Sequence, residues 1–159
     1  MAAHDVNQGS LVLFEKGLSF EVWQSRSGVL RLDWNRQGAV ASTIQGLGLT
    51  EYGPHIIRRW EAVFRASGRI TILVDCNEML SYESGLRVAM TDWALKHRAS
   101  LDPLHFLNRS KLVAMGVAVA NLAVGGLITS HTTRPSYDLV VRKHGLPVNP
   151  SMPKALGAP

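Results

Sequence analysis

The sequence predicts an α/β fold, a mixed sheet flanked by four helices, on three observations. Residues 70–74, Ile-Thr-Ile-Leu-Val, form a β-branched apolar run bounded by Gly68, the pattern of a buried strand. Beyond it, Leu86, Ala89, Met90, Trp93 and Ala94 recur at helical spacing. Strand-like and helical segments then alternate through the second half, which implies right-handed parallel crossovers. The first half instead holds closely spaced strand-like runs, as an antiparallel meander does.

Residues 1–10 read as a flexible leader and 11–14 as a first short strand. Residues 19–24 and 29–34 are the next strands. In the latter, Leu30, Leu32 and Trp34 alternate with Val29, Arg31 and Asp33. Residues 36–49 are glycine-rich and read as a long connection, with a short strand or turn of helix near 39–44. The first helix starts near Thr50 to Pro54, with Thr50 as the candidate N-cap. Its apolar stripe is Ile56, Ile57, Trp60, Val63 and Phe64, and Ser67-Gly68 stops it.

After the strand at 70–74 and a loop, the second helix follows. Residues 104–107 form another strand after Asp102-Pro103. Ser110 caps a helix that runs to about Val124, where Gly125-Gly126 ends it. Residues 127–130 are a short strand or extended link. Thr133 and Pro135 open a last helix that ends at Gly145. The segment 146–159 holds four of the seven prolines and reads as an unstructured tail, leaving 11–145 as a single domain.

Composition supports a packed core. Of 159 residues, 46% are hydrophobic and 18% charged, which excludes a disordered chain. The formal net charge is +5. Its clusters, Arg58-Arg59, Lys96-His97-Arg98 and Arg142-Lys143-His144, are scattered at helices, where cations commonly sit in solvent or face a helix C-terminus. No nucleic-acid footprint emerges from them. A lone cysteine, Cys76, excludes an intramolecular disulfide and a cysteine-only metal site. The start has neither a basic region nor an apolar core of signal-peptide type, so a cytoplasmic location is expected.

Catalytic motifs are lacking. Cys76 has no histidine tied to it by spacing and reads as an inert buried thiol. The six histidines, at 4, 55, 97, 105, 131 and 144, show no metal-ligand spacing. Asp75, Glu78 and Glu83 gather in one stretch that reads as a solvated acidic loop. Gly46-Leu47-Gly48 and Gly125-Gly126 lack the lysine and hydroxyl of a phosphate loop. No metal and no cofactor are expected. The helix from Leu112 to Val124 is apolar nearly all round, so it is either covered internally or meets another molecule, with Leu112, Met115, Val119 and Leu122 as the candidate interface or groove.

The stretch Leu80-Ser81-Tyr82-Glu83-Ser84-Gly85-Leu86 follows an apolar strand with an acidic end and opens a helix with Ser-Gly-Leu. It resembles the STAS domain of anti-anti-sigma factors. Asp92-Trp93, His97-Arg98, Leu104-His105-Phe106-Leu107 and Ser110-Lys111-Leu112 are similar to the broader group of bacterial STAS and SEC14-like proteins. The resemblance spans about residues 11–143. It implies a STAS-like sheet and a partner-binding site at Ser81, Glu83, Ser84 and Gly85, with Ser84 at the family's phosphorylation position. Tyr82 and Glu83 depart from that family's pattern, and Glu83 would set a like charge beside a phosphate. The function expected is a non-enzymatic regulatory or scaffold module that binds a protein, itself included as a homodimer. The alternative is a SEC14-like carrier of a lipid or small apolar ligand.

Overall fold

The computed structural model describes residues 11–159; the leader expected at 1–10 lies outside them. Four antiparallel strands open the chain: β1 (Val12–Lys16), β2 (Phe20–Gln24), β3 (Gly28–Trp34) and β4 (Ala39–Gly48). Then follow α1 (Tyr52–Ser67), β5 (Thr71–Cys76), β6 (Met79–Tyr82), α2 (Ser84–Lys96), a 3-10 turn (Arg98–Ser100), β7 (Leu104–Asn108), α3 (Lys111–Ala123), β8 (Ile128–His131) and α4 (Arg134–Lys143). They form one eight-stranded mixed sheet of order β1-β2-β3-β4-β5-β7-β8. The pairings from β1 to β4 are antiparallel, and β4-β5-β7-β8 are parallel.

Two strands were not predicted as such. Residues 39–48 are a single ten-residue strand at the centre of the sheet, not a connection with a short strand or turn of helix. Residues 39–43 of β4 pair with β5, while Gly46, Leu47 and Gly48 pair with β6. The far end of β4 therefore leaves a free ladder, and residues 79–82 occupy it after a two-residue break beyond Cys76. Ser81 thus lies in a strand rather than in a loop.

Helix ends follow local chemistry. Gly68 takes the left-handed conformation (φ 76°), and its N–H donates to the carbonyl of Phe64, closing α1. The Ser110 hydroxyl accepts the N–H of Val113 at the start of α3. Thr50 is not the N-cap of α1; Glu51 holds that place without a side-chain cap, and Thr50 is engaged elsewhere.

The sheet has a core on each face. On one side α1, α2 and α3 cover Leu30, Leu32, Val40, Ile44, Ile72 and Val74. The indoles of Trp60 (α1) and Trp93 (α2) meet there with ring centroids 5.2 Å apart, and Phe64 stands edge-on to Trp93. On the other side Tyr137 and Val141 of α4, with Leu146, pack on Ala39, Ala41, Leu73 and Leu107. The alternating residues of β4 and β5 serve the two cores in turn, which is why β5 is buried along its whole length and β4 over residues 39–44.

The segment 146–159, expected to be unstructured, forms neither helix nor strand but returns along the meander. Leu146 is buried. The N–H groups of Leu156 and Gly157 donate to the carbonyls of Ser25 (2.8 Å) and Arg26 (3.0 Å). The Gln24 side-chain amide donates to the carbonyl of Lys154 at 2.8 Å.

Candidate functional site

The end of β4 and the start of α2 are built on each other. The carbonyl of Gly48 accepts the backbone N–H of Glu83 at 2.8 Å. Glu83 is the N-cap residue of α2 and is extended (φ −80°, ψ 137°). Its carboxylate does not cap its own helix; Oε1 accepts the N–H of Thr50 at 2.7 Å. Thr50 in turn occupies the space beside Gly85, where a Cβ would stand 2.6 Å from Thr50 Oγ1. A side chain at position 85 would force this junction apart. Ser84, the first helical residue, is exposed, and it sits where unpaired backbone N–H groups favour an anion. Glu83, Ser84 and Gly85 therefore come together at one helix start, with the half-buried Ser81 leading to them from β6.

Helix α3 lies beside this junction. Tyr82 packs its phenol directly on Gly116, leaving no room for a Cβ there. The inward face of α3 is Val113, Gly116 and Val117. Its outward face carries Leu112, Met115, Val119 and Leu122, which are 53%, 67%, 52% and 84% exposed. Their spacing of three, four and three residues aligns them along one stripe of the helix. Among the described residues nothing covers that stripe, because α2 and the sheet meet α3 on the opposite side.

Between α2, α3 and the sheet lies an apolar cavity of about 60 Å³. Met79, Leu86, Met90, Phe106, Val113 and Val117 are among its walls. A second concavity, of about 130 Å³, opens on the other face at the carboxyl ends of β4 and β5. Thr43, Asp75, Asn77, Glu78, Arg134 and Asn149 line it. Asp75 Oδ1 accepts the N–H of Asn77 at 3.0 Å, and Oδ2 accepts from Arg134 Nη2 at 2.8 Å. Arg134 Nη1 also donates to Asp138 at 3.2 Å. Burial alone would lower the guanidinium pKa, but the Asp75 and Asp138 carboxylates hold it above its ordinary value.

The three carboxylates read together in the sequence are separated by the fold. Asp75 is buried within β5 and paired with Arg134, so it is not part of a solvated acidic loop. Glu78 is exposed in the turn, and Glu83 is bound to Thr50. Cys76 is buried, and burial, reinforced by the charge of Asp75, pushes its thiol far above the ordinary value. Among the described residues no three His, Cys, Asp or Glu side chains converge to hold a metal ion. Nor is any described helix long and apolar enough to cross a membrane. Arg134 was missed in the sequence because its partner Asp75 is 59 residues away.

Comparison with solved structures decides the fold. A protein of the DUF3478 family from Shewanella loihica, described as having a SpoIIAA-like fold, is similar over 78% of this chain and 95% of its own, at 14% identity and a TM-score of 0.50. The fold is SpoIIAA-like. The anti-sigma factor antagonist SpoIIAA in its unphosphorylated form agrees, covering 74% of this chain and 97% of its own at 16% identity and a TM-score of 0.50. No protein-family model and no curated protein sequence matches the chain. The STAS-like sheet expected from residues 11–143 is thus the fold observed, and its SpoIIAA-like core carries the α2 junction and the α3 stripe.

Proposed function

We propose that this SpoIIAA-like domain is a non-enzymatic regulatory module that binds a protein partner. Its contact surface is the start of α2, with Ser81, Glu83, Ser84 and Gly85, together with the outward stripe of α3. The observation that carries this reading is the stripe itself: Leu112, Met115, Val119 and Leu122 stand exposed on one helix directly beside the α2 junction. Burying a side chain of this kind stabilises a complex by about 1.5–3 kcal/mol. The likeness to an anti-sigma factor antagonist, a protein that acts on other proteins, agrees with a binding role. Ser84 supplies a position where an added charge would alter the same surface. A second copy of the chain is one partner such a stripe could take, and the cytoplasm is where such a module would act.

The apolar cavity between α2 and α3 does not favour the carrier alternative. At about 60 Å³ it is well below the ~300–1,000 Å³ of pockets that hold drug-sized ligands.

Two measurements test the binding reading. Sedimentation of the chain alone, with and without Leu122→Glu, shows whether it self-associates through α3. Affinity capture from the native cell with wild type and Met115→Glu/Leu122→Glu baits shows whether a partner depends on the stripe. Loss of self-association or of one captured protein, with melting unchanged, supports the proposal. Identical behaviour of wild type and both variants overturns the assignment of α3.

A further inference from the structure

Three side chains, from β7, β8 and α4, form a hydrogen-bonded chain on the α4 face, away from the α2–α3 surface. The hydroxyl of Ser136, on the first turn of α4, lies 2.6 Å from Nδ1 of His131. Nε2 of the same imidazole lies 3.0 Å from Nδ1 of His105. The parallel β7–β8 ladder makes the imidazole pair: His105 registers with Thr129 and Leu107 with His131. Positions 105 and 131 are thus offset by two and project from one face. His131 is 8% exposed, whereas Ser136 is open to solvent.

Two neutral proton arrangements satisfy both contacts, and one of them prepares the hydroxyl for attack. In that one Ser136 donates its O–H to Nδ1 of His131, whose Nε2–H donates to Nδ1 of His105. It requires both imidazoles neutral, and burial lowers both from their ordinary value, with His131, His144 and Lys143 adding to the effect at His105. A hydroxyl bonded to a neutral imidazole that a third group orients is the arrangement that activates a weak nucleophile.

Two further features select the chemistry. Thr133, the N-cap residue of α4, makes no side-chain cap, and the N–H of Ser136 has no partner among the described residues. That donor belongs to the residue that carries the hydroxyl, at a helix start whose dipole favours developing negative charge. Arg134, the cation on this turn, is already held by Asp75 and Asp138. The site therefore offers a hydroxyl, a base and an amide donor, and the guanidinium of this turn is already paired.

We propose that Ser136 is a nucleophilic acceptor of an acyl group from an activated ester or thioester. His131 is its base, and His105 is a positioning residue that acts through His131. In the transfer, Ser136 Oγ bonds to the acyl carbon and the ester C–O or thioester C–S bond breaks. The Oγ proton passes to Nδ1 of His131 and then to the departing alkoxide or thiolate. The proposal is independent of the protein-binding reading, which uses neither Ser136 nor either histidine.

The test exposes the folded full-length chain to p-nitrophenyl acetate and follows both p-nitrophenolate release and the site of acetylation by peptide mass spectrometry. The expected result is one acetyl per chain at Ser136, formed faster as pH rises through the histidine range and then level. A general base contributes ~10²–10⁴-fold, so His131→Asn should slow acetylation at Ser136 by at least ~100-fold. Ser136→Ala, on an exposed position, should fold and lose the label. If His131→Asn does not fold, His105→Asn serves: acetylation at Ser136 should slow and its pH midpoint should move, which a purely structural loss would not cause. Acetylation confined to lysines or to other serines overturns the proposal. So does a rate and pH profile at Ser136 that neither histidine variant alters.

Discussion

Tyr82 rests on Gly116, and this contact joins the strand that leads into α2 to the helix that carries the exposed apolar stripe. The phenol lies so close to the Gly116 backbone that even a methyl group has no place there. Gly116→Ala should therefore displace Tyr82 and destabilise the domain by ~1–3 kcal/mol, as overpacking does. Adding Tyr82→Ala should recover part of that loss, and urea unfolding of the two single variants and the double measures the coupling. Strict additivity would show that the two residues do not meet.

The Trp60–Trp93 pair is the other contact that fixes α2. Both indoles are buried, on α1 and α2, with centroids 5.2 Å apart. Trp60→Ala or Trp93→Ala should each cost ~3–5 kcal/mol by denaturant unfolding. Because the rings touch, the double variant should lose less than the sum. A cost below about 1 kcal/mol at both positions would contradict the packing of α1 and α2 on the sheet.

Residues 147–159 should contribute to stability. Proline content argues for a free tail, yet three hydrogen bonds tie this segment to Gln24, Ser25 and Arg26. Each is worth ~0.5–1.5 kcal/mol net, less the cost of ordering the segment. Deleting the segment should lower Tm by ~2–8 °C, as a loss of ~1–2 kcal/mol does in a domain of this size. An unchanged Tm would mean that these contacts are not maintained in solution.

Stability should fall on mild acidification. His105 and His131 have pKa values lowered in the folded chain, principally by burial, so the unfolded chain takes up protons first. Their contribution is complete above the ordinary histidine value of 6.5 and is lost as pH falls from there to the lowered folded values. His55 and His144, also lowered, add in the same direction. Thermal unfolding from pH 8 to pH 5 should show this decline, and His105→Gln/His131→Gln should flatten it. A slope the double variant leaves unchanged would assign the effect to other groups.

The elements with a clear period were legible: the amphipathic stripe of α1, the alternation at 29–34 and the apolar run of β5. Strand β4 was not, because it is buried on both faces and uses Ser42 and Thr43 inside, so neither alternation nor a continuous apolar run marks it. The four-residue β6 exists only because β4 is long enough to offer it a ladder. The serine at the start of α2 was readable from its local pattern, but the hold of Glu83 on Thr50 spans 33 residues. The His105–His131–Ser136 chain depends on the register of two parallel strands, which no spacing within the sequence records.

On the function proposed above, the α2 start and the α3 stripe form one partner-binding surface. Its most direct measurement is a binding titration of the captured partner against wild type, Ser84→Asp and Met115→Glu/Leu122→Glu, with Tm recorded for each. Both variants should weaken binding at least about tenfold, roughly 1.4 kcal/mol, while Tm stays near wild type. Wild-type affinity in both variants would contradict that proposal.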